Sequence, residues 1–306
     1  MAESTHLATT RPADSATLAL REPDDTAALE AGLDALDAPP PADAPSAVRR
    51  VLRAAGPPLV AAVTLTVLWQ AVVALGWQPP SVLPGPGAVW SSFLDGLRSG
   101  AVGHAVSSSL GRGLVGFGAS LVAGTLVGLL LAQVRLVRDG LGPLLSGMQS
   151  LPSVAWVPAA ILWFGAGDGA AYAVVVLSAV PSIANGLLAG VDQVPRGFDR
   201  LATVLGASRL EAVRFVTLPA ALPGYLAGLR QGWAFSWRAL MAAELIAPSV
   251  QRGQGLGVLL DAGRRAADMP LVLAAILLIL LVGIAVEVLL FRPLERRVLR
   301  QRGLEV

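Results

Sequence analysis

The chain of 306 residues contains no cysteine, and its two histidines, His6 and His104, lie far apart in the sequence. Without cysteine, disulfide bonds and thiolate metal ligands are excluded. A serine nucleophile would need a nearby histidine to activate it, and the sequence offers no such pair within its hydrophobic part. We therefore predict neither a catalytic site nor a metal site.

Lysine is also missing, so all 23 basic residues are arginine. A Walker A motif needs its lysine to reach the terminal phosphates of a nucleotide. This chain therefore has no nucleotide-hydrolysing P-loop, and we expect no cofactor on it. If the protein carries out ATP-driven transport, the site of ATP hydrolysis must be on another polypeptide.

Charged residues are scarce at 14%, whereas hydrophobic residues make up 54% of the chain. This composition is typical of an integral membrane protein rather than a soluble domain. A helix needs about 20 residues to cross the hydrocarbon core. We predict an all-α membrane protein with six transmembrane helices, at residues 57–76, 111–134, 142–164, 170–190, 221–247 and 270–291.

The first 50 residues have a different composition, rich in Ala, Pro, Asp and Thr and without apolar periodicity. This pattern predicts a disordered tail, residues 1–50, ahead of a transmembrane domain over residues 51–306. No basic start followed directly by an apolar core, as in a signal peptide, precedes residue 57. The tail is either a partner-binding arm or a tolerated extension.

The arginines are distributed unevenly between the two sides of the predicted spans. With a cytoplasmic amino end, the outer loops hold only Arg98, Arg252, Arg264 and Arg265. The inner flanks hold Arg49, Arg50, Arg53, Arg135, Arg138, Arg196, Arg200, Arg209, Arg214, Arg292, Arg296, Arg297, Arg300 and Arg302. Basic residues near span ends resist translocation, so both termini and the segment 195–219 are predicted to be cytoplasmic.

The segment 195–219 connects two apolar runs and contains a polar island, GASRLEAVRFVTLP at 206–219. Phe198, Leu201, Ala202 and Leu205 fall at i, i+3, i+4 and i+7, which predicts a short amphipathic helix that ends near Gly206. The segment then continues with a capping-box pair and a second apolar set, Ser208, Leu210, Glu211, Val213 and Val216. We predict a second helix from this pair that stops before Pro219. Such helices could also simply lie on the bilayer surface.

Small residues recur every fourth position in two of the predicted spans. The second span carries Gly116, Ser120, Gly124 and Gly128, and the fifth carries Gly224, Gly228, Gly232 and Ser236. Small residues at this spacing allow helix backbones to approach closely in lipid. We predict two tight helix contacts, which could be static or could slide.

Ionisable residues within membrane spans are costly and are candidates for function. Arg112 and Glu287 lie near the predicted membrane faces, where snorkelling accounts for them. The fifth span combines three charges with two indoles: Arg230, Trp233, Trp237, Arg238 and Glu244. These five residues are candidates for the lining of a translocation path. The alternative is an ion pair between helices with aromatic packing beside it.

The spacing of Gly206, Val216 and the pair Leu218-Pro219 resembles the EAA loop of ABC importer permeases. The resemblance covers roughly residues 57–300. Four motifs of this chain resemble the sulfonate, taurine and nitrate permease branch: LPGPGAVW at 83–90, SLGRGLVGF at 109–117, WFGAGDG at 163–169 and RPLERR at 292–297. The chain departs from the family's Glu-Ala-Ala, since Arg200, Leu201 and Ala202 stand there.

This resemblance implies a MetI-like fold and a multi-pass permease of the inner membrane that is not itself an enzyme. It also implies a loop that couples the spans to cytoplasmic ABC ATPase subunits, which would bind the ATP. The residues expected to carry the coupling are Ala202, Leu205, Gly206, Ser208, Leu210, Glu211, Val213, Val216, Leu218 and Pro219.

The other implied partners are an extracytoplasmic solute-binding protein and a second permease subunit, most simply a second copy of this chain. The lipid bilayer surrounds the pair, and nucleic acid is not expected as a partner. The solute would be a small anion such as an aliphatic sulfonate, taurine or nitrate. An importer for another solute, such as a vitamin precursor, and a channel or membrane scaffold remain as alternatives.

Overall fold

A computed structural model describes residues 47–247 and 255–300 of the chain. The predicted disordered tail lies outside the described residues except for positions 47–50, which begin a helix. The chain divides into two compact units, residues 1–64 and 65–306. The first unit contributes the amino-terminal part of helix α1, and the contacts described below lie within the second unit.

The described part of the chain consists of helices and connections, without a strand. A 3-10 turn at Ser153–Trp156 precedes α5, and π-helical turns at Val213–Thr217 and Glu287–Phe291 precede α9 and α12. The α-helices are α1 Ala47–Ala74, α2 Pro86–Arg98, α3 Ala101–Gln133, α4 Arg135–Ser150, α5 Val157–Phe164, α6 Asp168–Asp192, α7 Arg196–Val204, α8 Arg209–Ala212, α9 Leu218–Ile246, α10 Leu256–Arg265, α11 Met269–Val286 and α12 Arg292–Arg300.

Four helical segments of the described chain are long and apolar enough to cross a membrane: Gly56–Ala74, Ala101–Gln133, Asp168–Asp192 and Met269–Arg300. They correspond to the first, second, fourth and sixth predicted spans. The fifth predicted span forms one continuous helix, α9. That helix of 29 residues has the length to cross, but it is not among the four apolar segments.

The third predicted span, residues 142–164, is not one helix. Helix α4 ends at Ser150, and Leu151 takes an extended conformation with φ −75° and ψ 131° before Pro152. A proline disfavours the helical conformation in the residue before it, so the chain breaks at this point and restarts as the apolar segment Ser153–Phe164. Pro143, in contrast, is accommodated within α4.

Helix α6 lies at the centre of the second unit, between α3 and α9. A side chain added at Gly124 of α3 would meet Ile183 of α6 at 2.7 Å, and one at Gly228 of α9 would meet the Cα of Gly186 at 2.6 Å. The Ser182 hydroxyl also donates to the carbonyl of Gly228 at 3.5 Å. Both predicted small-residue faces are therefore confirmed as helix contacts, and α6 is their common partner.

The second helix of the segment 195–219 was predicted to stop before Pro219, and this prediction is wrong. The chain stays helical from Arg209 through α8, the π-helical turn and α9 to Ile246. Proline lacks the amide that would donate to the carbonyl four residues back. The π-helical turn at Val213–Thr217 is wider than an α-helical turn and changes the backbone hydrogen-bond pattern shortly before Pro219. The helix therefore passes the proline without a break.

Candidate functional site

The segment 195–219, called the coupling loop below, is a helix, a turn and a second helix. Helix α7 ends at Val204, and Gly206 takes a left-handed conformation with φ 78° that suits glycine. The amide of Glu211 donates to the Ser208 hydroxyl at 3.3 Å, and the amide of Ser208 donates to the Glu211 carboxylate at 2.8 Å. This reciprocal pair confirms the predicted capping box. Its hydrogen bonds lower the pKa of the Glu211 carboxyl below its ordinary value.

The coupling loop exposes large apolar side chains to its surroundings. The exposed fractions are 56% for Leu201, 82% for Val204, 76% for Leu205 and 67% for Phe215, and these four residues form what we call the coupling-loop surface. Ala202 in contrast is buried at 5%. Val204 and Phe215 were missed by the sequence reasoning. Val204 had a detectable signal, since it lies three residues after Leu201 on the same helix.

The remaining predicted coupling residues are less exposed or lie outside the description. Val213 and Val216 are half-buried, whereas Leu218 and Pro219 are exposed at the start of α9. The guanidinium of Arg214 stacks on Phe215, 5.6 Å from the ring centre. The side chain of Leu210 lies outside the described part of the structure.

A buried ionic cluster lies near the other end of α9. The carboxylate of Glu244, 2% exposed, accepts from the Arg112 guanidinium at 2.7 Å and from the Ser109 hydroxyl at 2.7 Å. Arg112 also pairs with Asp168 at 3.1 Å through its Nε. The backbone amides of Leu256 and Gly257 complete the group by donating to Ser109 and Glu244. We call this group the Glu244 cluster.

The expectation that Arg112 snorkels to a membrane face is wrong, because its side chain is only 2% exposed. The cluster joins α3, α6, α9 and α10, and it needs two glycines for space. A side chain at Gly255 would collide with the Glu244 carboxylate, and one at Gly257 would lie 2.6 Å from the Glu244 Cβ. A buried charge is tolerated only when it is paired and hydrogen-bonded, and the Glu244 carboxylate meets both conditions.

The two tryptophans of α9 belong to the apolar core. Trp233 and Trp237 stack with ring centres 6.0 Å apart, and Phe117 of α3 meets Trp233 edge-on at 5.4 Å. The Trp237 indole donates to the carbonyl of Ile279 on α11 at 3.1 Å. The pair therefore holds α3, α9 and α11 together in this structure.

The two arginines predicted beside them lie on an exposed face of α9. Arg230 pairs with Glu287 at 2.5 Å and with Glu295 at 3.5 Å, so Glu287 is an ion-pair partner rather than a snorkelling residue. These three residues line a groove of about 310 Å³. Arg238 stacks on Phe235 at 4.8 Å, and no carboxylate among the described residues pairs with it.

The structure thus separates the five candidates for a translocation path into two groups. Trp233, Trp237 and Glu244 are buried in contacts between helices, whereas Arg230 and Arg238 share an exposed face with Gln231. The sequence could not distinguish them, because the five residues occur within fifteen positions of one continuous helix. Within the described residues, no group of acidic or histidine side chains is placed to hold a metal ion.

The chain belongs to the family described as binding-protein-dependent transport system inner membrane component, whose model matches residues 124–300. It is therefore a multi-pass inner-membrane permease subunit of an ABC transporter and not an enzyme.

Sequence similarity to two transport permeases supports the same assignment. The chain is 33% identical over 245 residues to the riboflavin transport system permease protein RibX of Chloroflexus aurantiacus, with 79% of this chain and 90% of that protein covered. It is 33% identical over 247 residues to the taurine transport system permease protein TauC of Escherichia coli, covering 79% and 88%.

A solved structure supports the fold alone. In an inward-facing conformation of the MetNI methionine ABC transporter, the matching chain has a TM-score of 0.50 and 20% identity. The match covers 63% of this chain and 94% of that one. The predicted MetI-like fold is thereby confirmed.

Proposed function

We propose that this permease imports a small anion, such as an aliphatic sulfonate, taurine or nitrate, delivered by a solute-binding protein. Two copies of the chain form the path, and cytoplasmic ATPase subunits bind one coupling loop each. ATP is bound by those partner subunits. ATP binding closes the ATPases, draws the two loops together and turns the paired spans outward, and hydrolysis resets them.

The observation that carries this proposal is the coupling-loop surface. Leu201, Val204, Leu205 and Phe215 are all more than half exposed, on a segment whose capping box and turn are well formed. Burying one large apolar side chain contributes about 2 kcal/mol. A partner that covers all four gains a substantial binding energy, and a short, structured helix pair is suited to transmit displacement to α9.

The preference for an anion rests on the exposed face of α9. The charge of Arg230 is offset by Glu287 and Glu295, whereas Arg238 has no acidic partner within the described residues. An arginine without a carboxylate partner attracts and can hydrogen-bond a sulfonate or nitrate oxygen. Arg238 is therefore the residue that we assign to anion attraction in the path.

A second candidate solute is a vitamin such as riboflavin. One observation favours it: the relative named as a riboflavin permease is as similar to this chain as the taurine permease, at 33% identity. In this alternative the stacked indoles Trp233 and Trp237 become accessible to a flat ring during transport. The partners and the coupling loop stay the same.

The test is reconstitution of the whole transporter. The chain is purified with an affinity tag, the ATPase that accompanies it is identified, and both are placed in liposomes with the binding protein encoded nearby. We expect ATP-dependent accumulation of taurine or nitrate and none of riboflavin. Uptake of riboflavin alone would replace the anion assignment. Solute flux without ATP, or purification without an ATPase, would instead indicate a channel or scaffold.

A further inference from the structure

The last helix carries a dense group of arginines at the end of the last span. Arg292, Arg296, Arg297 and Arg300, together with Val288 and Pro293, line a groove of about 530 Å³. All four arginines are exposed. This groove is separate from the coupling loop and from the face of α9 that carries Arg238.

The length of the helix places these arginines at a membrane boundary. The continuous helical segment Met269–Arg300 is longer than a membrane crossing requires. At 1.5 Å per residue, Arg292 lies about 34 Å along the helix from Met269, just beyond a hydrocarbon core of about 30 Å. The groove therefore lies at the level of the lipid headgroups. This placement follows from the span itself and holds for either orientation of the chain.

Three of the arginines that line the groove have no ion-pair partner within the described part of the protein. No carboxylate among the described residues pairs with Arg292, Arg296 or Arg297. The acidic residue between them, Glu295, pairs with Arg230 instead. Like charges this close on a helix repel one another. An anion in the groove would remove this repulsion, and guanidinium groups match the oxygens of a phosphate closely.

The groove also continues into an apolar strip. Val288 borders it, and Ile284 and Leu281 lie four and seven residues before Val288, which places them on the same side of the helix. Their exposed fractions are 39%, 48% and 57%. A ligand that fills both parts has an anionic head and a long apolar tail.

We propose that this groove binds an anionic phospholipid, with its phosphate among the arginines and an acyl chain along Val288, Ile284 and Leu281. A free phosphate or an acidic protein surface would contact the arginines but not the apolar strip. The lipid would fix the end of α12, whose Glu295 pairs with Arg230 on α9, and so support the position of the path-lining helix.

The experiment is a binding titration followed by native mass spectrometry. The full chain in neutral detergent is titrated with dioleoylphosphatidylglycerol, dioleoylphosphatidylcholine or glycerol phosphate, and bound molecules are counted. We expect retention of phosphatidylglycerol at concentrations where the other two are not retained. Each arginine near a membrane surface contributes about fivefold to the attraction of anionic lipid, so R296Q/R297Q should weaken the binding about 25-fold.

The control is R98Q/R135Q, which removes two exposed arginines outside the groove and should bind lipid like the parent chain, because each of them is already paired with an aspartate of its own helix. Equal retention of both phospholipids, or unchanged binding by R296Q/R297Q, would overturn the proposal. Competition by glycerol phosphate at equal concentration would assign the groove to a soluble phosphate. Displacement of the lipid by the co-purified ATPase would assign it to a protein contact.

Discussion

The Glu244 cluster and the coupling-loop surface are opposite in character, since the first buries charges and the second exposes apolar side chains. In the cluster, charges that would be costly inside a membrane protein are removed from solvent and matched by partners of the same chain. On the loop, apolar side chains that would normally be buried are left outside. The charges of the cluster are paired within one subunit, whereas we propose that the loop surface is covered by a partner. A substitution in the first should therefore affect folding, and one in the second should affect assembly.

The largest effect is expected from Glu244→Ala. The substitution leaves Arg112 buried without its closest carboxylate, and breaking a buried pair from one side costs about 3–5 kcal/mol. We expect a marked loss of the chain from the membrane fraction and a lower unfolding temperature in detergent. Glu295→Ala is the control, because that carboxylate is 46% exposed and pairs at 3.5 Å. Equal small shifts for both variants would contradict the importance of burial.

Gly206→Asp should impair assembly with the ATPase but leave folding and membrane insertion intact. The residue has φ 78°, a conformation that costs an ordinary L-residue about 1–2 kcal/mol, and the new acid alters the turn between α7 and α8. We expect the chain to reach the membrane but to lose ATPase capture and ATP-driven uptake. Gly140→Asp adds the same side chain at an exposed helical position with open space and should behave normally. Normal uptake by the Gly206 variant would argue against coupling through the loop.

Arg238→Gln extends the comparison to the exposed face of α9. A hydrogen bond to a charged group contributes about 1.5–3 kcal/mol, so the initial rate of nitrate uptake should fall about tenfold or more. Arg230→Gln should have the smaller effect, since Glu287 and Glu295 already offset its charge. Uptake is measured in proteoliposomes that contain the complete transporter. The reverse order of the two variants would transfer the anion-attracting role to Arg230.

The smallest effect is expected from acidification of the loop. The pKa of Glu211 is lowered from its ordinary value of 4.5, mainly by the hydrogen bond to Ser208. Its stabilisation is therefore present above that value and is lost as the pH falls through the lowered one. The protection of the Ser208 amide against hydrogen exchange, corrected for the intrinsic rate at each pH, should fall in this range. In Glu211→Gln this pH-dependent loss of protection should be absent, and its persistence would assign the change to another group.

The coupling loop was largely predictable because its signals are local. The capping box and the helix end near Gly206 depend on neighbours within four residues, and both are present as expected. The small-residue faces were also predictable, since their spacing alone indicates close packing. The sequence did not indicate that both faces contact the same helix, α6, because that choice depends on how the helices are arranged in space.

The Glu244 cluster was not predictable in the same way. Ser109 and Glu244 are 135 positions apart, and the amide of Leu256 that donates to Ser109 is 147 positions from it. No local rule connects such residues. The continuation of the helix past Pro219 was missed for a different reason, since a π-helical turn has no reliable sequence signal. Contacts over long distances and rare helical turns therefore account for most of the differences.

The helix that passes Pro219 without a break has a mechanical consequence. It runs from Arg209 to Ile246, about 55 Å at 1.5 Å per residue, with Phe215 near one end and Glu244 near the other. Both regions therefore lie on one uninterrupted helical stretch. We expect a displacement of its amino-terminal end to move the Glu244 cluster as well, because no flexible connection lies between them.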